Sequence, residues 1–106
     1  MIVETEQTPN PDTLKFLPGK KVSEVGPVQI LKEDKDIKIP LANKILSLEG
    51  TVMVFFGDDF ITVKKEKELN WKDLKHGIIS EINEHYSQGN NVVLKKNSDK
   101  NPSEKN

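Results

Sequence analysis

The sequence predicts a two-layer α+β sandwich, in which a small, mainly antiparallel sheet carries two helices on one face. Short runs rich in β-branched and aromatic residues occur in pairs close enough along the chain to form hairpins. Each pair is followed by a segment whose apolar residues recur at three and four positions, which is the period of a helix. The resulting order is β-β-α-β-β-α, with room for an extra edge strand before the first helix.

The first predicted pair of strands spans residues 2–6 and 14–17, and a proline-containing loop connects them. In that loop, Pro9 and Pro11 fix φ at about −65° and disfavour helical backbone at the residue before each of them. The Pro18-Gly19 turn ends the second strand. We therefore expect a stiff, extended loop whose two ends are held by paired strands.

The middle of the chain contains the start and stop signals of three further elements. Residues 25–31 fit a short edge strand, although Gly and Pro interrupt them. Pro40 stands at the first position of a short helix, and Gly50 marks its end. Residues 52–56 and 60–64 fit two strands joined by the tight turn Gly57-Asp58-Asp59.

The last predicted element is the longer helix. Asn70 is a good N-cap because its side-chain oxygen can accept a hydrogen bond from the first turn. Apolar residues follow it at helical spacing and form a stripe that would cover the sheet: Trp71, Leu74, Ile78, Ile82 and Tyr86. Trp71, at the start of this stripe, is expected in the core.

The chain of 106 residues has room for one domain, which we place at residues 1–88. Residues 89–106 are predicted to be a polar linker or a disordered tail. They contain one short apolar run, Val92-Val93-Leu94, within an otherwise polar and charged segment. So few apolar groups offer little free energy to offset the entropy lost on ordering.

Composition and charge argue against nucleic-acid and membrane partners. Sixteen lysines face seventeen acidic residues, the net charge is −1, and there is no arginine. Nucleic-acid binding normally needs a basic face, and recognition of phosphates or bases relies on the guanidinium group. No run approaches the roughly 20 apolar residues that span a bilayer. We expect a cytoplasmic protein of bacterial type, or a mitochondrial-matrix one if a transit peptide has been removed.

No metal or catalytic site is predicted. Iron–sulfur clusters are held mainly by cysteine thiolates, and this chain has no cysteine. His76 and His85 are nine residues apart on one predicted helix, a rotation of about 900° that places them on opposite faces. Asp58 and Asp59 are adjacent in a turn, where their side chains point apart, and no base or nucleophile lies near them in sequence. No cofactor is therefore expected in this chain.

Partner binding is the function for which the sequence offers candidate residues. In the proline loop these are Thr8, Pro9, Asn10, Pro11 and Asp12, which a rigid backbone would present with little loss of entropy on binding. The alternative is that the loop is only a stiff connection. In a strand, neighbouring residues point to opposite faces, so one ring of the Phe55-Phe56 pair should be exposed. Phe56 and the nearby Asp58 complete the candidate set.

Several motifs together resemble the N-terminal domain of the Nfu family of iron–sulfur cluster scaffold and carrier proteins. The resemblance extends over residues 2–86. It rests on Thr8-Pro9-Asn10-Pro11, Thr13-Leu14-Lys15-Phe16-Leu17-Pro18-Gly19, Pro40-Leu41-Ala42, Glu49-Gly50, Phe55-Phe56-Gly57, Asp59-Phe60-Ile61-Thr62-Val63 and Trp71 with Leu74-Lys75. His76 departs from the pattern, since relatives commonly have proline there.

The resemblance implies an accessory protein-interaction domain, not an enzyme. In two-domain members, this domain precedes a second one whose Cys-x-x-Cys motif holds a [4Fe–4S] cluster between two chains. The implied partners are that companion NifU-like domain and apo iron–sulfur recipient proteins. The alternative is a stand-alone interaction or regulatory module outside cluster biogenesis.

Overall fold

A computed structural model describes residues 2–96 and contains a five-stranded antiparallel sheet with two helices. The strand order is β1-β2-β5-β4-β3. The elements are β1 (Glu4–Gln7), β2 (Thr13–Leu17), β3 (Val28–Leu31), α1 (Pro40–Leu46), β4 (Thr51–Phe56), β5 (Ile61–Lys65) and α2 (Trp71–Ser87). This architecture confirms the predicted α+β fold, including the extra edge strand, which is β3.

The pairing of β2 with β5 joins the two predicted hairpins into one sheet. Phe16 on β2 lies opposite Ile61 on β5, which in turn lies opposite Phe56 on β4. All three side chains are fully buried. This row therefore belongs to the face of the sheet that forms the core, and the alternate residues point to the other face.

Both helices begin where the sequence predicts. α1 starts at Pro40 after Ile39, whose side chain makes no capping hydrogen bond. α2 starts after Asn70, whose side-chain oxygen accepts a hydrogen bond of 3.1 Å from the backbone N–H of Lys72. The buried residues of the two helices face the sheet: Leu41, Ala42, Ile45, Leu46, Ile78, Ile82 and Tyr86.

The segment after α2, where a polar linker or disordered tail is predicted, contacts the domain through its short apolar run. Val92 is buried, and the N–H groups of Val93 and Leu94 donate to the carbonyl of Val22 at 2.9 and 3.0 Å. The N–H of Glu24 donates to the carbonyl of Leu94 at 2.8 Å. Val93 and Leu94 thus pair with backbone groups about 70 positions earlier, a contact that local composition cannot reveal. Residues 97–106 of the predicted tail lie outside the described residues, and the domain boundary at residue 88 stays a prediction.

Within residues 2–96, neither helix combines the length and the apolar character that crossing a bilayer requires.

Candidate protein-binding groove

The proline loop, residues 8–12, is held in shape by its own side chains. The Thr8 hydroxyl donates to the carbonyl of Asn10 at 2.8 Å and accepts from the N–H of Asn10 at 3.2 Å. The Asn10 side-chain oxygen accepts from the N–H of Asp12 at 2.9 Å. The N–H of Thr13 donates to the carbonyl of Asn10 at 3.0 Å, and this hydrogen bond closes the turn. These local bonds add to the two prolines, so the loop is stiff before any partner arrives.

Two residues far away in sequence fasten the proline loop to the rest of the domain. The indole N–H of Trp71 donates to the carbonyl of Pro11 at 3.0 Å. The backbone N–H of Lys65 donates to the carbonyl of Asp12 at 2.8 Å, and their side chains form an ion pair of 3.4 Å between Nζ and Oδ1. Both side chains of this pair are largely buried, at 7% and 17% exposure. Asp12 is therefore part of the framework that holds the loop.

An open groove of about 1000 Å³ lies between this loop, the first hairpin and the start of α2. Ile79 and Trp71, which are partly exposed, contribute apolar surface to it, whereas Leu14 borders it but is only 7% exposed. The residues that line it are Thr5, Gln7, Thr8, Pro9, Pro11, Thr13, Leu14, Trp71, Lys72, Lys75, His76 and Ile79. Of the predicted loop residues, Thr8, Pro9 and Pro11 line the groove, whereas Asn10 and Asp12 hold the loop behind it.

Trp71 differs from its expected place in the core. It is partly exposed, and one side of its indole meets the buried ring of Phe16 edge to face, with the centroids 6.3 Å apart. Because the ring stands at the first turn of α2, it extends beyond the area of sheet that the helix covers and reaches the proline loop. Trp71 therefore contacts the core through Phe16 and lines the groove beside the proline loop.

The other groove residues of α2 were missed by the sequence reasoning. Lys72, Lys75 and Ile79 recur at three and four positions, so they share one face of the helix. That spacing identifies a face beside the buried stripe. It does not reveal that the first hairpin leaves this face uncovered, because that depends on how the helix docks on the sheet.

Phe56 was the wrong member of the aromatic pair to expect at the surface. Its side chain is fully buried, opposite Ile61. Phe55 points to the other face of the sheet, where it stacks on Phe60 with centroids 6.0 Å apart. The alternation of side chains along a strand predicts that one of the two rings is exposed. The cross-strand register decides which ring that is.

Asp58 is exposed and lies at the opposite end of β5 from the proline loop. Its carbonyl accepts hydrogen bonds from the N–H groups of Val22 and Ser23 at 2.8 and 3.3 Å. Its carboxylate forms an ion pair with Lys21, and this hydrogen bond is the main reason that the pKa of Lys21 is raised. The structure thus shows Asp58 fastening the segment after β2 to the β4–β5 turn, and it does not bring Asp58 to the groove.

The histidines lie apart, as expected from their spacing. His76 borders the groove, whereas the Nε2 atom of His85 is 2.9 Å from the carbonyl oxygen of Val92. Among residues 2–96, no three His, Asp or Glu side chains come close enough together to hold a metal ion. What the groove offers chemically is a stiff backbone, an apolar surface and cationic side chains, a combination suited to binding.

Comparison with known proteins gives the family. The family model described as "Scaffold protein Nfu/NifU N terminal" matches residues 3–89, which include the whole sheet, both helices and the groove. The chain belongs to this family. The resemblance inferred from the proline loop and the strand motifs is therefore confirmed.

Relatives of this Nfu N-terminal domain are longer proteins. "NifU-like protein 4, mitochondrial" of Arabidopsis thaliana is 42% identical over 94 residues, which cover 89% of this chain and 33% of the relative. "NFU1 iron-sulfur cluster scaffold homolog, mitochondrial" of Homo sapiens is 42% identical over 90 residues, which cover 84% of this chain and 35% of the relative. The chain thus spans about a third of the length of these relatives.

Solved structures share the fold. The solution structure of a NifU-like protein from Saccharomyces cerevisiae matches with a TM-score of 0.79 and 26% identity, covering 90% of this chain and 85% of that one. The crystal structure of protein SAV1430 from Staphylococcus aureus matches with a TM-score of 0.67 and 28% identity, covering 77% of this chain and 99% of that one. In the second case, almost the entire solved chain consists of this fold.

Proposed function

We propose that this chain is the accessory protein-interaction domain of an Nfu-type iron–sulfur scaffold and carrier, and that it takes part in cluster assembly and delivery. It acts through protein contacts and is not an enzyme. The [4Fe–4S] cluster resides on a companion domain with a Cys-x-x-Cys motif, since this chain has no cysteine to bind iron. Its partners are that NifU-like domain and apo iron–sulfur recipient proteins.

The observation that carries this proposal is the proline loop clamped by Trp71 at the rim of an open groove. A surface that is already rigid loses little conformational entropy on binding, so a modest contact area gives useful affinity. If the cluster-bearing domain is tethered to this one, the effective concentration between them is in the millimolar range, which reinforces weak contacts further.

A competition assay tests the proposal. A two-domain Nfu protein loaded with cluster donates it to an apo recipient, and the recovered activity of the recipient reports the rate. Excess free 106-residue chain should slow delivery, because it occupies the surface that the tethered domain would contact. The Trp71→Ala variant, whose loop has lost its clamp, should compete less well. If a large excess of wild-type chain leaves the rate unchanged, the interaction role in delivery is contradicted.

The second candidate is a stand-alone interaction or regulatory module outside cluster biogenesis. The Staphylococcus aureus structure favours it, because that chain is covered over 99% of its length by this fold. The gene separates the two candidates. A reading frame that continues beyond Asn106 into a Cys-x-x-Cys domain supports the carrier, and a stop codon there supports the module.

For its location, we propose the cytoplasm, or the mitochondrial matrix if a transit peptide has been removed. The Arabidopsis and human relatives are named as mitochondrial. Fractionation of cells that express the complete gene product with an epitope tag distinguishes the two compartments.

A further inference from the structure

The groove carries a local excess of positive charge, although the chain as a whole has a net charge of −1. Lys72 and Lys75 line one wall, with His76 beside them, and no Asp or Glu is among the lining residues. A groove with one sign of charge attracts ligands of the opposite sign.

Asp73 stands between the two lysines in sequence but is not among the residues that line the groove, and two other acidic residues near the groove are paired elsewhere. Glu6 alternates with the groove-lining Thr5 and Gln7, so it points to the other face of β1, where its Oε1 lies 3.6 Å from Nζ of Lys15. The Asp12 carboxylate is paired with Lys65 behind the loop. The two groove lysines therefore have no acidic partner within hydrogen-bonding distance among the described residues.

Beside these charges, the groove offers an apolar surface. Ile79 and Trp71 are partly exposed and line the groove together with the lysines and the prolines of the loop. An apolar side chain placed there would lose water-exposed area, and carboxylates on either side of it would reach the lysines. The groove is also open, so it can take a segment of chain lying along it.

We propose that the groove binds a short, extended acidic segment of a partner protein, with one apolar residue over Ile79 and Trp71 and carboxylates against Lys72 and Lys75. This proposal rests on the proposed function, since it specifies the chemistry of the partner. The lining residues favour a polypeptide over nucleic acid. Affinity for nucleic acid comes largely from many phosphate contacts, for which two lysines and a histidine are few, and the chain has no arginine.

The probe is a fluorescent ten-residue peptide that carries a central leucine between pairs of glutamates. It is titrated with the full 106-residue chain, and fluorescence anisotropy gives the dissociation constant. Binding should weaken as salt is added, because the charges involved are exposed. The same peptide with lysine in place of glutamate should bind at least about tenfold more weakly. Alanine in place of the leucine should weaken binding about fivefold.

The matched variants are two pairs of charge reversals. Lys72→Glu with Lys75→Glu inverts the groove, and both positions are exposed in the first turns of α2, where acidic residues favour the helix. Lys35→Glu with Lys38→Glu makes the same change in net charge on exposed residues before α1. The groove pair should weaken binding about tenfold or more, and the control pair should change it by less than about twofold.

Three results would overturn the proposal: no measurable binding of the acidic peptide, equal weakening by the two variant pairs, or an oligonucleotide that displaces the peptide as well as unlabelled peptide does. None of these results changes the expected outcome of the competition assay of cluster delivery. That assay detects contact between this chain and its partner at any part of the surface. Slowed delivery without peptide binding would leave the interaction role standing and remove the acidic segment as its ligand.

Discussion

At the scale of single residues, the ion pair between Asp12 and Lys65 holds the proline loop, which borders the groove. It joins the proline loop to the end of β5, and the Lys65 ammonium also donates to the carbonyl of Glu66 at 3.3 Å. The sequence suggested Asp12 as an exposed contact residue. Since its side chain is largely buried, we now assign it a structural role and expect its substitution to affect stability.

Asp12→Asn should lower the free energy of unfolding by about 1–2 kcal/mol, because it leaves a largely buried ammonium without its counter-charge. Chemical denaturation measures this loss. Adding Lys65→Met to Asp12→Asn should recover part of it, since the unpaired charge is then removed. Asp59→Asn, at an exposed carboxylate in the β4–β5 turn, is the matched control. Equal stability of Asp12→Asn and the control would show that the pair contributes nothing.

A second residue-scale prediction concerns pH. Burial raises the pKa of Tyr86 to about 12 from its ordinary value of 10.0, and its hydroxyl donates to the carbonyl of Lys21 at 2.7 Å. Above about pH 10, the unfolded chain releases the phenol proton while the folded chain retains it, so stability falls as pH rises towards 12. We expect a loss of about 1–2 kcal/mol over this interval.

Tyr86→Phe provides the control, because it lacks the phenol and keeps every other ionisable group of the chain. The difference in unfolding free energy between wild type and Tyr86→Phe should shrink as pH rises from 10 to 12. Tyr86 is the one tyrosine of the chain, so phenolate absorbance reports its ionisation directly. A difference that is constant across the interval would contradict the raised pKa.

At the scale of elements, the connection between α1 and β4 depends on Gly50. Its φ is +98°, and a Cβ atom there would lie 2.1 Å from Cδ1 of Leu69. Gly50→Ala should therefore destabilise the fold by about 1–3 kcal/mol through both backbone strain and overpacking. Gly19→Ala is the matched control, because its φ is +75° but no atom lies within 4 Å of the added methyl group. The loss in unfolding free energy should be larger for Gly50→Ala than for Gly19→Ala by the cost of the contact with Leu69. Equal losses would mean that the Leu69 side chain moves aside at no cost.

The elements also show what the sequence can and cannot predict. Pro40 and Asn70 identified the helix starts correctly, because capping and proline geometry are local. The sequence did not predict the pairing of Val93 and Leu94 with Val22, nor the hydrogen bond from Trp71 to Pro11. Both join positions at least 60 residues apart, and no local pattern specifies such contacts.

At the scale of the whole molecule, the two helices cover one face of the sheet and leave the groove open along β1. The stiffness of the proline loop could be predicted from its two prolines, so the sequence identified the loop side of the candidate site. The cationic wall on α2 could not be, since it depends on where the helix lies relative to the first hairpin. The domain spans about a third of its relatives, so contacts between this surface and the rest of such a protein are the natural test.

The most direct measurement is a titration of the isotopically labelled chain with a Cys-x-x-Cys NifU-like domain, followed by NMR chemical shifts. Trp71 is the one tryptophan, so its indole N–H gives a single resonance at the rim of the groove. We expect this resonance and the amides of Thr8, Thr13 and Lys75 to shift most, and the shifts to saturate. Shifts confined to the opposite sheet face around Phe55 and Phe60, or an unchanged Trp71 resonance at saturation, would contradict it.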